Sequence, residues 1–254
     1  MIYNKLYLIY IYKYLTMLKN KKIIKINGSQ LKLYIPSDVF NPTATTSFLI
    51  RDAKKFINKK MDILDLGCGS GIIGILANKL QKNKKKIFAS DVSLEAVECA
   101  KKNFKMHKCN FELKCGSLLK PWKNKKFDLI INDVSGISEE LAKKSIWFKN
   151  VPCKTGPDGT DLTLKIIKSS SIYLNNKGGI IFPIISLSNS RKIIQTLKKK
   201  FKIIKIISNN YWFLPEELNK NQKKLFKMKK KKLIDFELKF GKIICNTQIV
   251  YAKN

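Results

Sequence analysis

The chain has 254 residues, of which 44% are hydrophobic and 27% are charged. This length suits one large α/β domain with a short accessory segment, and the composition excludes a disordered or collagen-like chain. The net charge of +33 is typical of proteins with an anionic partner such as RNA. However, only Arg51 and Arg191 are arginines, the residue that phosphate recognition favours. An A+T-rich coding sequence, which yields many lysines, accounts for the charge equally well.

Features that report on the compartment favour the cytoplasm. The first 18 residues are apolar, but Lys5 and Lys13 interrupt them and no small-residue cleavage site follows, so we expect neither a signal peptide nor a membrane span. A packed amphipathic helix, or a true start at Met17, would account for this stretch. The six cysteines include no Cys-x-x-Cys pair, so neither a zinc ribbon nor a redox dithiol is indicated and no metal site is expected.

The predicted elements begin with a hairpin. Two β-branched runs within residues 21–35 flank Asn27-Gly28, a dipeptide typical of tight turns. A loop and a helix over residues 45–58 follow. We interpret residues 1–60 as an N-terminal extension and bracket, and residues 61–254 as the main domain.

Beyond residue 60 the chain alternates strands and helices at the spacing that parallel crossovers need. Strands are predicted at residues 63–66, 86–90, 110–114, 127–131, 179–185, 201–207 and 242–252. Helices are predicted at residues 72–80, 93–104, 138–148, 160–174 and 190–200. The pattern predicts an α/β fold with a doubly wound sheet. Residues 219–232 contain eight lysines and no acid, which is more typical of a solvated helix face or loop than of a phosphate-binding patch.

A glycine-rich segment, DLGCGSGIIG from Asp65 to Gly74, joins a predicted strand to a predicted helix. Gly69, Gly71 and Gly74 match the G-x-G-x-x-G pattern of dinucleotide sites, where glycines allow a tight turn and close approach of a ligand. Asp65 argues against a dinucleotide, because a carboxylate beside this loop would repel a pyrophosphate and would suit a cationic ligand. Asp91, at the end of the next predicted strand, can accept hydrogen bonds from both hydroxyls of a ribose.

Acids are scarce in this chain, yet three of them stand at the carboxyl ends of predicted strands. These are Asp65, Asp91 and Asp133. Doubly wound sheets bind their ligands at that edge. The three carboxylates therefore indicate a ligand site.

The segment 65–71 followed by Asp91 resembles the S-adenosylmethionine site of class I methyltransferases. The resemblance implies that the loop containing Gly67, Gly69 and Gly71 passes the amino-acid part of the cofactor and that Asp91 binds its ribose. The family often has an acid near the adenine after the third strand. Here Ser117 occupies the equivalent stretch and offers a single hydrogen bond.

Residues 39–46 and 128–132 are similar to the small-domain group of this family. That group includes release-factor glutamine methyltransferases, a ribosomal-protein methyltransferase and several ribosomal RNA guanine methyltransferases. In many members the fourth strand ends in Asn-Pro-Pro-Tyr, whose Asn holds an amide or base nitrogen in line with the methyl group. Here the motif is Asn132-Asp133-Val134-Ser135, which retains the Asn but leaves no stacking ring to sandwich a planar group. We expect Asn132 to position the acceptor nitrogen.

Asp133 has two readings. Its carboxylate could orient or deprotonate an amine acceptor, such as a lysine side chain or an N-terminal amine. Alternatively, it caps the following helix. Residues 154–161 resemble the loop that flanks the acceptor in the glutamine methyltransferases, or form a plain loop before a helix. The apolar stretch 212–215 covers the cofactor cleft or fills the core, and His107 is expected at the surface.

The sequence therefore predicts a class I methyltransferase with a Rossmann-like, mostly parallel, seven-stranded sheet. We expect it to use S-adenosylmethionine to N-methylate a protein substrate, either a translation factor or a ribosomal protein. An RNA base is the alternative acceptor. A different class of function is a non-catalytic, cofactor-binding scaffold for RNA or the ribosome. The lysine-rich run could contact RNA or the ribosome in either case.

Overall fold

The computed structural model describes residues 20–26, 28–82, 85–134, 136–151 and 153–254. The apolar opening stretch, including Met17, lies outside the described residues. The described chain begins with an antiparallel hairpin of β1 (Lys21–Ile26) and β2 (Ser29–Tyr34), in which Ile26 pairs with Ser29. The hairpin predicted from the sequence is confirmed.

A central sheet of eight strands follows. Its strands are β3 (Ile63–Leu66), β4 (Ile87–Asp91), β5 (Phe111–Cys115), β6 (Phe127–Asn132), β7 (Leu174–Ile185), β8 (Ile203–Phe213), β9 (Glu237–Lys239) and β10 (Lys242–Lys253). The strand order is β5-β4-β3-β6-β7-β10-β8, and β9 pairs with β10 beside this path. Strands β3 to β7 pair in parallel, whereas β10 is antiparallel to its neighbours. The mostly parallel sheet is confirmed, with one strand more than the predicted seven. The sequence missed β9 because its three residues are all exposed and carry no apolar alternation.

Helices cover both faces of the sheet. They are α1 (Ala44–Ala53), α2 (Ile72–Leu80), α3 (Leu94–Met106), α4 (Glu139–Ala142), α5 (Asp161–Ser170), α6 (Ser190–Lys200), α7 (Glu216–Asn219) and α8 (Gln222–Lys230). Alternate residues of each strand point to opposite faces. Ile63 therefore belongs to a core shared with the hairpin, α1, α2 and α3, while Leu64 belongs to a second core with α5 and α6. No helix in the described part of the chain is long and apolar enough to cross a bilayer.

Asn103 on α3 joins the hairpin to the glycine-rich loop. Its side chain is fully buried and accepts a hydrogen bond from the Tyr34 backbone nitrogen at 2.8 Å. Its amide nitrogen donates to the carbonyl oxygens of Tyr34 and Ser70, both at 2.8 Å. The hairpin is therefore fixed to the element that carries the glycines.

The lysine-rich run folds mainly as α8, which contributes to a third core. Leu225 and Met228 are buried there beside residues of α4 and the end of β8. The lysines lie on the outer side of the helix, in agreement with the predicted solvated face. The sequence has no clear apolar period for this helix, because its two buried residues, Leu225 and Met228, stand among lysines.

Candidate active site

The loop between β3 and α2 has a backbone that favours glycine at three positions. Gly67, Gly69 and Gly71 have φ angles of +73°, +51° and +77°, in the left-handed region that other residues adopt at a cost. The backbone nitrogens of Gly67 and Cys68 both donate to the Ser90 carbonyl, at 2.9 and 3.0 Å. The loop is therefore bound to the end of β4.

Two of these glycines have different surroundings. A Cβ atom on Gly67 would lie 2.6 Å from a methyl carbon of Val134, so the loop packs tightly against the segment after β6. At Gly69 the nearest heavy atom would be the Phe40 carbonyl oxygen at 4.0 Å. The structure therefore leaves space beside Gly69 for a ligand to approach the backbone.

Asp65 lies in β3, just before this loop, and is fully buried. One carboxylate oxygen accepts a hydrogen bond from the Gly74 backbone nitrogen at 2.8 Å, and the other has no partner among the described residues. Burial, together with the negative charges of Asp133 and Asp91, raises the pKa of Asp65 to about 8. An unpaired buried oxygen of this kind favours a nearby cation.

Asp91 lies at the end of β4 and is tied to the glycine loop. Its two carboxylate oxygens accept hydrogen bonds from the backbone nitrogens of Gly69 and Ser93, each at 3.0 Å. A carboxylate has about four acceptor positions, so capacity for further donors remains. Ser117 is exposed and follows Gly116, whose nitrogen donates to the Asp91 carbonyl at 2.8 Å. The structure thus brings Ser117 to the same edge of the sheet.

Asn132 and Asp133 have distinct environments at the end of β6. Asn132 is 2% exposed, and its side-chain oxygen accepts a hydrogen bond from the Val134 nitrogen at 3.1 Å. The Asp133 nitrogen donates to the Leu66 carbonyl at 3.2 Å, which holds Asp133 beside β3. Its carboxylate oxygen Oδ2 accepts a hydrogen bond from the Thr46 hydroxyl at 2.8 Å. Burial raises the pKa of Asp133 to about 6, although the Thr46 hydrogen bond acts to lower it.

The helix-capping alternative for Asp133 is wrong. Helix α4 begins at Glu139, and its N-cap is Ser138, five positions beyond Asp133. Asp133 instead lies in the wall of a cavity. The sequence left this choice open because it does not show how many residues separate Asp133 from the start of the following helix.

The cavity has a volume of about 280 Å³ and an apolar wall. Five aromatic residues line it, namely Phe40, Trp147, Phe148, Trp212 and Phe213. The rings of Phe40 and Phe148 are 5.0 Å apart, and those of Trp147 and Trp212 are 5.8 Å apart. Among the described lining residues, Asp133 alone is titratable.

The loss of the motif's ring does not leave Asp133 without aromatic neighbours, because five rings line the same cavity. The Tyr of the Asn-Pro-Pro-Tyr motif is absent, but other segments supply rings that come together only in the folded chain. Of the stretch 212–215, Trp212, Phe213 and Pro215 line the cavity and Leu214 is buried in the third core. Neither alternative from the sequence was complete.

Two other predicted features lie outside the cavity wall. The loop 154–161 packs behind it, where the Thr155 hydroxyl donates to the Ile137 carbonyl at 2.6 Å and the Ser138 hydroxyl donates to the Pro157 carbonyl at 2.8 Å. His107 lies against the Lys32 carbonyl, with its ring nitrogen Nε2 2.9 Å from the oxygen. The loop therefore supports the wall, and His107 takes no part in the site.

Sequence reasoning missed Thr46 as a site residue. Thr46 lies in the segment 39–46 whose similarity to the small-domain group was noted, but nothing in the sequence showed that this hydroxyl reaches Asp133, 87 positions away. The aromatic wall was missed for the same reason.

A doubly wound sheet, a glycine loop after the inner strand β3, an acid at the end of β4 and a cavity whose wall packs against the loop define a class I S-adenosylmethionine-dependent methyltransferase. The family model described as methyltransferase small domain matches residues 41–134. A putative protein N5-glutamine methyltransferase from Methanocaldococcus jannaschii is 30% identical over 177 residues, which are 69% of this chain and 86% of that protein. The chain belongs to the methyltransferase small-domain family.

Solved structures agree on the fold. A ribosomal protein L11 methylase from Lactobacillus delbrueckii subsp. bulgaricus gives a TM-score of 0.56 at 20% identity, over 91% of this chain and 90% of that one. The Thermus thermophilus 16S rRNA N2 G1207 methyltransferase, solved with AdoMet and guanosine, gives 0.59 at 11% identity, over 92% of this chain and 50% of that one. Curated ribosomal protein L11 methyltransferases also match, but the chain spans less than half of their length.

Proposed function

We propose that this protein N-methylates an amine of a protein substrate, with the acceptor nitrogen bound at Asp133. The observation that carries the proposal is that Asp133 is the single carboxylate among the described residues lining a mostly apolar, aromatic cavity. Two residues of that lining, Val134 and Phe40, lie next to Gly67 and Gly69 of the glycine loop. A planar amide needs a matched set of donors and acceptors, whereas an amine needs an acceptor for its proton. Asp133 provides that acceptor.

The residues at the strand ends fit the cofactor. When bound, S-adenosylmethionine supplies a methyl group on a positively charged sulfonium. The unpaired oxygen of Asp65 suits a cationic ligand, and the free acceptor capacity of Asp91 suits ribose hydroxyls. The open backbone at Gly69 would allow close contact. Gly67 and Gly71 would allow the left-handed backbone that shapes this loop. Ser117 would form a hydrogen bond with the adenine.

Asp133 would prepare the acceptor in two ways. An amine attacks only as the neutral base, so its proton must leave, and a carboxyl with a raised pKa accepts a proton more readily than an ordinary aspartate does. The aromatic wall excludes water and stabilises the ammonium form on entry through cation–π interactions. Asn132 holds the turn that carries Asp133, through the bond to Val134. We therefore place Asp133 at the reacting nitrogen and Asn132 behind it.

The names of the relatives support a partner in translation. Ribosomal protein L11 methyltransferases are among them, and the N5-glutamine methyltransferase is named as acting on protein, so we propose a ribosomal protein or translation factor as substrate. The buried free thiols of Cys68, Cys99 and Cys245 are consistent with a reducing cytoplasm. The exposed lysines of α8 support an additional contact with ribosomal RNA.

The test is transfer of labelled methyl groups from S-adenosylmethionine to ribosomes and cell extract, followed by protease or nuclease. Asp133→Asn should lower kcat by about 100-fold or more while its cofactor affinity, measured by calorimetry, stays near that of the wild type. Asp91→Ala should lose cofactor binding. Amino-acid analysis of the product should give a methylated amine.

Other outcomes would contradict the proposal. Label released only by nuclease would identify an RNA base as the acceptor. Methylglutamine in the product would show an amide acceptor. Cofactor binding with no transfer to any fraction would support the non-catalytic scaffold.

A further inference from the structure

We infer that Thr46 is a positioning residue that holds the Asp133 carboxylate in its working orientation. The inference rests on the proposed function of Asp133. Thr46 is 2% exposed and lies outside the cavity lining, so it has no route to the acceptor itself. It acts through the 2.8 Å hydrogen bond from its hydroxyl to Asp133 Oδ2.

The Thr46 hydroxyl is itself oriented. Its oxygen accepts a hydrogen bond from the Thr43 backbone nitrogen at 3.3 Å, at the first turn of α1. A hydroxyl has one proton to donate, and with this acceptor position occupied the proton is directed to Asp133. The helix N-terminus thus fixes the direction in which Thr46 donates.

The two ends of the contact are anchored independently. Asp133 is held to β3 by the bond to Leu66. At the far end of α1, Asp52 is buried and pairs with Arg51, and the Ser208 hydroxyl of β8 donates to Asp52. Arg51 also donates to Asn210 at 3.0 Å. The hydrogen bond between Thr46 and Asp133 therefore joins two rigid elements, as precise placement of a catalytic group requires.

Few charges face Asp133. The described cavity wall contributes no other titratable group, and α1 carries its basic residue, Arg51, at the opposite end, bound to Asp52. From the side of β3, the buried Asp65 interacts with Asp133 as a like charge. Burial disfavours ionised Asp133, and the Thr46 hydroxyl is the described group that opposes this effect.

The experiment compares Thr46→Val, which keeps the shape but removes the hydroxyl, with Thr46→Ser, which restores it. Thr196→Val, which removes a hydroxyl that donates to the Lys192 carbonyl within α6, is the control for loss of a threonine hydroxyl outside the site. Losing the hydrogen bond favours the protonated carboxyl, so the acidic limb of the kcat/KM profile should move to higher pH by roughly 0.5–1 unit in Thr46→Val. We expect kcat to fall more than tenfold with little change in KM, and Thr46→Ser to restore both.

A second measurement does not depend on activity. The side-chain carboxyl of Asp133, assigned in carbon-13 NMR spectra by its loss in Asp133→Asn, should titrate at higher pH in Thr46→Val and return in Thr46→Ser. An unchanged titration and profile, or no rescue by serine, would overturn the inference. Absence of methyl transfer by the folded wild type would overturn the proposed function instead, and the titration would still decide whether Thr46 controls Asp133.

Discussion

Asp65 combines complete burial, one hydrogen bond and one oxygen without a partner among the described residues, and this makes its ionised form costly in the folded chain. Its pKa of about 8 in the folded chain lies above the value of about 3.9 expected when unfolded. The folded state therefore binds the proton more tightly. The contribution of Asp65 to the free energy of unfolding is therefore present below about pH 4 and is lost as pH rises to about 8.

Asp65→Asn should consequently stabilise the protein in the absence of cofactor. Its amide oxygen can still accept from Gly74, while the charge is gone. We expect the free energy of unfolding to rise by roughly 1–3 kcal/mol at pH 8, less than the full charge penalty because the amide hydrogens lack partners. Denaturant titrations at pH 4, 6 and 8 check this. A gain that is equal at all three pH values would show that the charge is not the cause.

At the scale of elements, the packing of α2 on α3 depends on the absence of a side chain at Gly74. A Cβ atom there would lie 2.8 Å from the ring of Phe104, which is fully buried against Phe111. The same ring would lie 3.1 Å from a Cβ on Gly71. These glycines therefore serve helix packing as well as the loop.

Gly74→Ala tests this packing. Alanine normally stabilises a helix relative to glycine by up to about 1 kcal/mol, but overpacking should reverse the sign and lower the free energy of unfolding by about 1–3 kcal/mol. Phe104→Leu in the same chain should recover part of the loss. A double-mutant cycle by urea unfolding measures the coupling, and additive effects of the two changes would contradict the proposed contact.

At the scale of the whole molecule, the net charge of +33 comes from lysines along the entire sequence. Any polyanion is therefore attracted to the protein, and a specific RNA-binding surface has to be distinguished experimentally from this general attraction. Helix α8 offers one candidate, because Lys223, Lys227 and Lys230 share a face with Phe226, which is 43% exposed. Lysines around an exposed ring suit phosphates and a stacked base.

Replacing Lys223, Lys227 and Lys230 together by glutamine should weaken binding of a fluorescent single-stranded RNA and flatten its salt dependence. The control replaces Lys198, Lys199 and Lys200 at the end of α6, which removes the same charge elsewhere. We expect the α8 triple to lose at least fivefold more affinity. Equal losses of RNA affinity in the two triple variants would show that the lysines act only through the total charge. That result would agree with lysines that arise from an A+T-rich coding sequence.

Much of the fold followed from local pattern. Strand β3 and helices α2 and α6 have the predicted bounds, because each combines a clear apolar period with a turn or cap residue at its ends. The predicted helix over residues 138–148 was wrong in extent, since only residues 139–142 are α-helical and a 3-10 turn follows at residues 146–148. There Trp147 and Phe148 point into the cavity, so tertiary packing decided the local backbone.

The sequence alone determined the alternation of strands and helices, the glycine loop after β3 and the positions of Asp65, Asp91 and Asp133 at strand ends, because these depend on short-range order along the chain. Only the tertiary structure decided how the acceptor cavity is built. Its rings and the Thr46 hydroxyl come from segments far apart in sequence. Contacts of that kind depend on helix placement and strand register, for which local patterns carry no signal. The nature of the acceptor pocket is therefore a property of the folded chain.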